Sequence, residues 1–247
     1  MIFILYKMKI LTVIQARIDS TRLPRKIMMP IQGKPILEHI ITFLKYSKLT
    51  DQIVVATTIL SQDDEVEKLS KIMDVDCFRG NSENVLSRYY ECAKFFKGDL
   101  IVRITADNPI VDPVLIDEVI RLCKETECDY ASNVLNKTYP LGYSPCEAFT
   151  FATLKKLHKN QKDPRSQEHV TYHIRQNPYL YNIRDVKAPS NLARPNWRLT
   201  VDYIEDFELI SKIFSRLYIP NSFIKYQTLV EFLDKNKHLL KINEMHH

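Results

Sequence analysis

The stretch Gln15-Ala16-Arg17-Ile18-Asp19-Ser20-Thr21-Arg22-Leu23-Pro24-Arg25-Lys26 sets four cations, Arg17, Arg22, Arg25 and Lys26, and two hydroxyls in a run without helical period. Residues 10–14 before it are an apolar run that reads as a buried strand. Beyond it, Pro35 and the spacing of Ile36, Leu37, Ile40, Ile41 and Leu44 predict a helix. Strand, cationic loop and helix in that order form a cradle for a polyphosphate. Arginine brings planar forks, lysine a point charge, and the loop amides further donors. The glycine-rich phosphate loops G-x-x-x-x-G-K-[ST] and G-x-G-x-x-G are absent. Taken alone, the same loop is also compatible with a solvated basic surface.

The alternation continues along the chain. Residues 53–57, 76–79 and 100–104 read as strands. Ser61 is expected to cap a helix carrying Val66, Leu69, Ile72 and Met73 on one face. Val85, Leu86, Tyr89, Tyr90, Ala93 and Phe96 mark a second helix, and Asp112-Pro113 opens a third with a capping carboxylate and a first-turn proline. Repeated β-α order predicts an α/β chain: three α/β/α layers around a mostly parallel, Rossmann-like sheet. Ligands of such sheets sit beyond the carboxyl ends of the strands, where the basic loop and Asp107 would fall. The order changes after about Tyr130. Residues 143–149 and 179–186 read as added strands, open to antiparallel pairing, with a helix over 165–176 between them. Segment 130–186 is therefore expected as a small mixed insertion for acceptor binding or dimerisation, inside a single domain over 1–247. Residues 197–201 are predicted to return as a strand. Helices are expected over 204–217, with Phe207, Ile210 and Phe214 inward, and over 226–240.

Bulk properties exclude several classes. A chain of 247 residues, 45% hydrophobic and 26% charged, can bury a sizeable core. The net charge of +5 suits anionic small substrates. Its cations cluster in one loop rather than in a stripe with interleaved aromatics, so no nucleic-acid partner is expected. The five cysteines are odd in number and form no C-x-x-C, which suits reduced thiols in the cytoplasm. No apolar run reaches the roughly 18 residues of a membrane span. The apolar stretch from Met1 to Tyr6 is read as an extension of the first strand or a translated leader upstream of Met8, and His246-His247 as native or a tag remnant.

Several ordered motifs carry a resemblance over roughly residues 9–217. The basic loop matches Q-A-R-x-x-S-T-R-L-P-x-K, Gly33 to His39 matches G-K-P-[LM]-[LI]-x-H, and residues 53–58 match the second strand. Residues 103–109 match R-[VI]-T-G-D-x-P, and Trp197 to Asp206 match W-[RT]-x-T-V-D-x-x-E-D. These resemble the cytidylyltransferases that activate sugar acids, the CMP-sialic acid and CMP-Kdo synthetases, and most closely the SpsF-type branch of spore-coat polysaccharide synthesis. The resemblance implies transfer of CMP from CTP to an acceptor oxygen, with pyrophosphate released. The acceptor it implies is a sugar acid of surface-polysaccharide synthesis, or else a phosphonate or polyol. It also implies a homodimer in which the inserted arm reaches the neighbouring site.

On the matched positions, Asp107 and Asp202 are the expected catalytic carboxylates and the ligands of Mg²⁺, with Mn²⁺ able to substitute. An ion of this kind takes few protein carboxylates and many phosphate oxygens. Arg22 and Lys26 join them as catalytic cations. Ala16, Arg17, Ser20, Arg22, Lys26, Asn84 and Arg103 are expected on the nucleotide, and Tyr139, Glu147, Glu168 and His169 on the acceptor. From the residues alone, Asp107 also reads as turn chemistry and Asp202 as a helix cap supported by Glu205. The Asn84 region also reads as a helix start capped by Ser82, and His169 as a packed histidine. Arg25 and Ala106 stand where the family has glycine, and an acidic residue expected near Ser144 is missing. Two other classes stay open: a nucleotide-sugar-dependent glycosyltransferase, for which Asp74-Val75-Asp76 supplies a D-x-D, and a non-catalytic nucleotide-binding partner.

Overall fold

The computed structural model describes residues 7–246. The stretch from Met1 to Tyr6 and His247 lie outside the described residues. In β1 (Ile10–Gln15), Ile10 and Ile14 face one side of the sheet and Leu11 and Val13 the other, all at most 2% exposed. Both faces are covered, which explains an apolar run interrupted only by the buried Thr12. Strands β2 (Pro30–Ile31) and β3 (Lys34–Pro35) form a hairpin that sequence reading did not foresee. Its turn, Gln32-Gly33, has both φ values positive, the twist that suits two-residue hairpins. Helix α1 (Ile36–Leu44) buries Ile36, Leu37, Ile40, Ile41, Phe43 and Leu44 completely. Each contributes about 1.5–3 kcal/mol, so packing rather than propensity holds this short helix.

The alternation then runs through β4 (Gln52–Thr58), α2 (Asp64–Ile72), β5 (Asp76–Gly80), α3 (Val85–Phe95), β6 (Leu100–Thr105) and α4 (Pro113–Glu125). Asp112 caps α4 as expected, accepting from the amides of Val114 and Leu115. Ser61 does not cap α2. It lies in a preceding 3-10 turn, and α2 starts without a side-chain cap. Asp64, Glu65 and Glu67 in the first turn meet the positive helix end instead.

The chain continues with β7 (Tyr130–Ser132), β8 (Glu147–Thr150), α5 (Phe151–Asn160), α6 (Pro164–Glu168), α7 (Tyr172–Gln176), β9 (Ile183–Asp185), α8 (Ile204–Leu217) and α9 (Tyr226–Lys235). The seven-stranded sheet has the order β5-β4-β1-β6-β8-β7-β9. Only β8 runs against its neighbours, and β9 pairs parallel to β7. The sheet is thus mostly parallel, and helices cover both faces with two apolar clusters.

Five expectations are corrected here. The strand expected over 179–186 is confined to β9, behind a 3-10 turn at Pro178–Leu180. The strand expected over 143–149 is confined to β8, because Ser144 turns the chain at φ 41°. The helix expected over 165–176 is two helices broken at His169–Thr171, where Val170 has φ 34°. Residues 197–201 are extended but form no strand, with one bridge between Leu141 and Arg198. The helix expected over 226–240 gives way after Lys235 to a 3-10 turn.

Candidate active site

The basic loop and Asp107 leave the carboxyl ends of the adjacent parallel strands β1 and β6. Asp107 Oδ1 accepts from Thr105 Oγ1 at 2.7 Å and from Asn108 Nδ2 at 2.7 Å, which turns the carboxylate outward from the strand end. Its main-chain carbonyl accepts from the Val201 amide at 2.8 Å. That bond brings Asp202 beside Asp107, far away along the chain. On its other side the 197–202 segment hangs on Leu141, through bonds of 2.9 and 2.6 Å.

Lys26 stands between the two carboxylates. Its Nζ donates to Asp202 Oδ1 at 2.9 Å and to the Val201 carbonyl at 2.8 Å, and lies 3.3 Å from Asp107 Oδ2. Arg22 Nη2 donates to the same Asp202 oxygen at 2.7 Å. Asp202 Oδ2 accepts from Arg198, which also grips Asp206 with two bonds of 2.9 Å. Burial opposes the Asp206 charge, but Arg198 and Asn243 hold its carboxyl below the usual range. Asp206 in turn accepts from the amides of Asp202 and Tyr203, so it serves the start of α8 in place of the expected Glu205. Asp202 is therefore not the helix cap. It is a buried carboxylate aimed at Lys26 and Arg22.

Three cations and three carboxylates balance in this cluster. Pairs at this depth add little net stability, because desolvation offsets their attraction. Among the described residues, no three or more His, Cys, Asp or Glu side chains gather as a metal cage. Asp107 and Asp202 supply hard oxygen donors within reach of one cation. That set suits an ion of the Mg²⁺ or Mn²⁺ type completed by phosphate and water.

Two cavities meet at these residues. The smaller, about 300 Å³, is bordered by Arg17, Ser20, Arg22, Lys26 and Glu168. The larger, about 660 Å³, is bordered by Tyr139, Glu147, Asn133, Lys137, Arg175 and Asp202. Arg103, Thr105, Asp107 and His169 border both. A further cleft of about 320 Å³ lies at the opposite, amino-terminal edge of the strands, beside Gln52, Asp74 and Asp76. It contains none of the expected site residues, and it puts the D-x-D far from the strand ends.

The remaining expected residues divide. Arg17 is 3.4 Å from Glu168, a loose pair between half-exposed side chains. Ala16 is buried, and its amide is taken by the Ala56 carbonyl. Asn84, rather than Ser82, caps α3 through its side-chain carbonyl, which accepts from the Ser87 amide. Arg25, in left-handed backbone at φ 59°, turns away to pair with Glu65 at 2.8 Å. The family's glycine at this position matches that backbone. Glu147 accepts three hydrogen bonds. One oxygen accepts from Arg103, the other from Tyr130 and Thr171 at 2.6 Å each. Burial works against its charge, yet Arg103 and then Arg175 hold it below the usual carboxylate range. Burial likewise opposes the Arg103 charge, but Glu147 holds the guanidinium above its ordinary value. Sequence reading missed Arg175. It quoted Thr105, Asn108, Thr171, Arg198 and Asp206 in motifs without a role. The signal for the last two was Asp206 in the first turn of a helix, eight residues after a buried arginine.

Against this geometry, three relatives are informative. A spore coat polysaccharide biosynthesis protein SpsF of Bacillus subtilis is 35% identical over 84% of this chain and 87% of its own length. An uncharacterised protein of Methanocaldococcus jannaschii is 39% identical over 96% and 95%. The structure of a cytidylyltransferase from Leptospira borgpetersenii serovar Hardjo-bovis superposes with a TM-score of 0.88 at 32% identity, covering 95% of this chain and 97% of that one. The sequence model described as cytidylyltransferase matches residues 11–242. The chain belongs to the cytidylyltransferase family. Within that family of nucleotidyl-transferring enzymes it stands in the SpsF-like branch. Among the described residues, no helix is long and apolar enough to cross a membrane.

Proposed function

We propose that this chain transfers CMP from CTP to an oxygen of an acidic sugar of surface-polysaccharide synthesis, with a divalent cation, and releases pyrophosphate. The observation that carries the reading is the convergence of Asp107, Asp202 and Lys26 where two cavities meet. In this reading Arg17, Arg22 and Lys26 take triphosphate oxygens in the smaller cavity, as forks and a point charge suited to phosphate. Ser20 adds a hydroxyl, and the free amide nitrogen of Asn84 is available to the base edge. Asp107 and Asp202 would hold Mg²⁺, with Mn²⁺ able to substitute, and the ion would supply charge compensation at the phosphates.

The acceptor enters the larger cavity. Lys137, Arg175 and His169 on its border favour an anionic acceptor, while Tyr139, Pro140 and Leu141 supply an apolar wall. The acceptor oxygen meets the α-phosphate at the seam, where Arg103 adds positive charge. No covalent nucleophile is needed, because fixed charges and alignment provide the rate enhancement of such transfers. We further propose a homodimer and a cytoplasmic setting. The latter is supported by five cysteines that are all free thiols.

Pyrophosphate release tests the reading. The purified chain is offered each of the four ribonucleoside triphosphates with a panel of sugar acids, a phosphonate and a polyol. Release with CTP and a sugar acid is expected. Release only with the phosphonate or polyol moves the acceptor class. CTP binding without release from any acceptor favours a non-catalytic partner. Transfer of sugar from a nucleotide sugar overturns the reading.

A further inference from the structure

Glu147 was expected to touch the acceptor, but its environment assigns it other work. It is 4% exposed and every contact it makes is internal. Arg103 comes from β6, Tyr130 from β7, and Thr171 from the turn that joins α6 to α7. Thr171 is fully buried. Beside it Val170, a β-branched residue buried in the core, adopts left-handed backbone at φ 34°. Such backbone is costly for a branched side chain and persists only where surrounding contacts hold it. On one side the turn is tied by Thr171 to Glu147. On the other, Glu168 reaches Arg17 of the basic loop. His169, between these ties, is exposed and borders both cavities.

We propose that Glu147 and Thr171 are positioning residues: clamped by Arg103, the Glu147 carboxylate holds the strained His169–Thr171 turn so that His169 contacts the acceptor at the seam of the two cavities. This rests on the acceptor occupying the larger cavity. The design has a physical logic. A carboxylate left free in that wall would repel an anionic acceptor. Paired with Arg103 and capped by two hydroxyls, it becomes a fixed anchor whose charge is neutralised within the fold.

Thr171→Val tests this, since it removes one hydroxyl bond at nearly constant volume. Amide hydrogen exchange over residues 168–173 is expected to rise at least ~10-fold, as loss of one buried bond to a charged group predicts. The acceptor KM is expected to rise by a similar factor, while CTP affinity and kcat stay within about threefold. Thr171→Ser restores both readouts. His169→Ala, at an exposed position, is expected to raise the acceptor KM and leave amide exchange in the turn unchanged. Unchanged exchange in Thr171→Val, or equal losses toward CTP and acceptor, overturns the proposal. The exchange readout needs no turnover. A chain that proves to use no acceptor therefore sinks the functional reading without obscuring whether Glu147 anchors the turn.

Discussion

Single side chains set the charge economy of the site. Asp107→Asn and Asp202→Asn are each expected to cut turnover at least ~100-fold with the fold intact, because both face a cavity and charge compensation is lost at the transition state. Pyrophosphate release at saturating Mg²⁺ checks this, and near-normal rates in both variants would sink the metal assignment. Lys26→Ala and Arg22→Ala are expected to weaken binding of CTP far more than of cytidine. Calorimetry with both ligands decides, since equal losses would mean these cations do not meet phosphate. Away from the site, His39 is fully buried, with Nε2 on the Ile31 carbonyl at 2.7 Å and Nδ1 without a partner. Burial holds its pKa below the ordinary 6.5. The native state therefore refuses a proton that the unfolded chain accepts. Stability should fall as pH drops below about 6.5, by at most about 1.4 kcal/mol per pH unit from this group. Urea midpoints at pH 7 and pH 5 should converge more closely in His39→Gln than in the wild type. Burial also lowers His158 and His169, so only the difference between the two proteins reports His39.

At the scale of elements, the decisive piece is the irregular segment 197–202. A regular sheet ladder does not hold it. Bonds from Leu141 and Asp107 do, and Gly142 makes the approach possible. Gly142 has φ 86°, and a Cβ there would lie 2.2 Å from the Thr200 nitrogen. Gly142→Ala should cost about 2 kcal/mol or more, through left-handed strain plus displacement of backbone. It should also lower activity, because the displaced segment carries Asp202. A urea midpoint and a pyrophosphate assay near wild-type values would show that the segment is held by other means.

For the whole molecule, the open question is assembly. Segment 130–186 was expected to serve acceptor binding or dimerisation. Tyr139 and Tyr143 are buried and not free for an interface. They stack with each other and pack at a tilt on Tyr226 inside the core. Tyr179, at 81% exposure, and Leu180, at 50%, remain on the surface of the same segment. Aromatics of that kind concentrate at interface cores. A two-fold dimer is the expected state. Light scattering across a dilution series checks it, and a monomeric mass at micromolar concentration with full activity would rule it out.

The α/β class, the parallel order through β6 and the loop of residues 16–26 were legible because they follow from local pattern. Apolar runs, helical spacing and a cap-proline pair depend only on neighbours along the chain. Asp107 was legible as the end of one such strand. What the tertiary structure alone decided was every role that depends on a distant partner. Asp202 leaves its apparent cap position because Asp206 takes that work and Lys26 and Arg22 draw the carboxylate across the sheet edge. Glu147 is tied into the fold because Arg103, Tyr130 and Thr171 converge on it from three separate elements. Residues 197–201 look like a strand because they alternate, yet they bond to a loop and one carbonyl rather than to a strand. Periodicity reports which side chains are buried. It carries no information on which carboxylate meets which cation, because that depends on contacts between residues far apart in the chain.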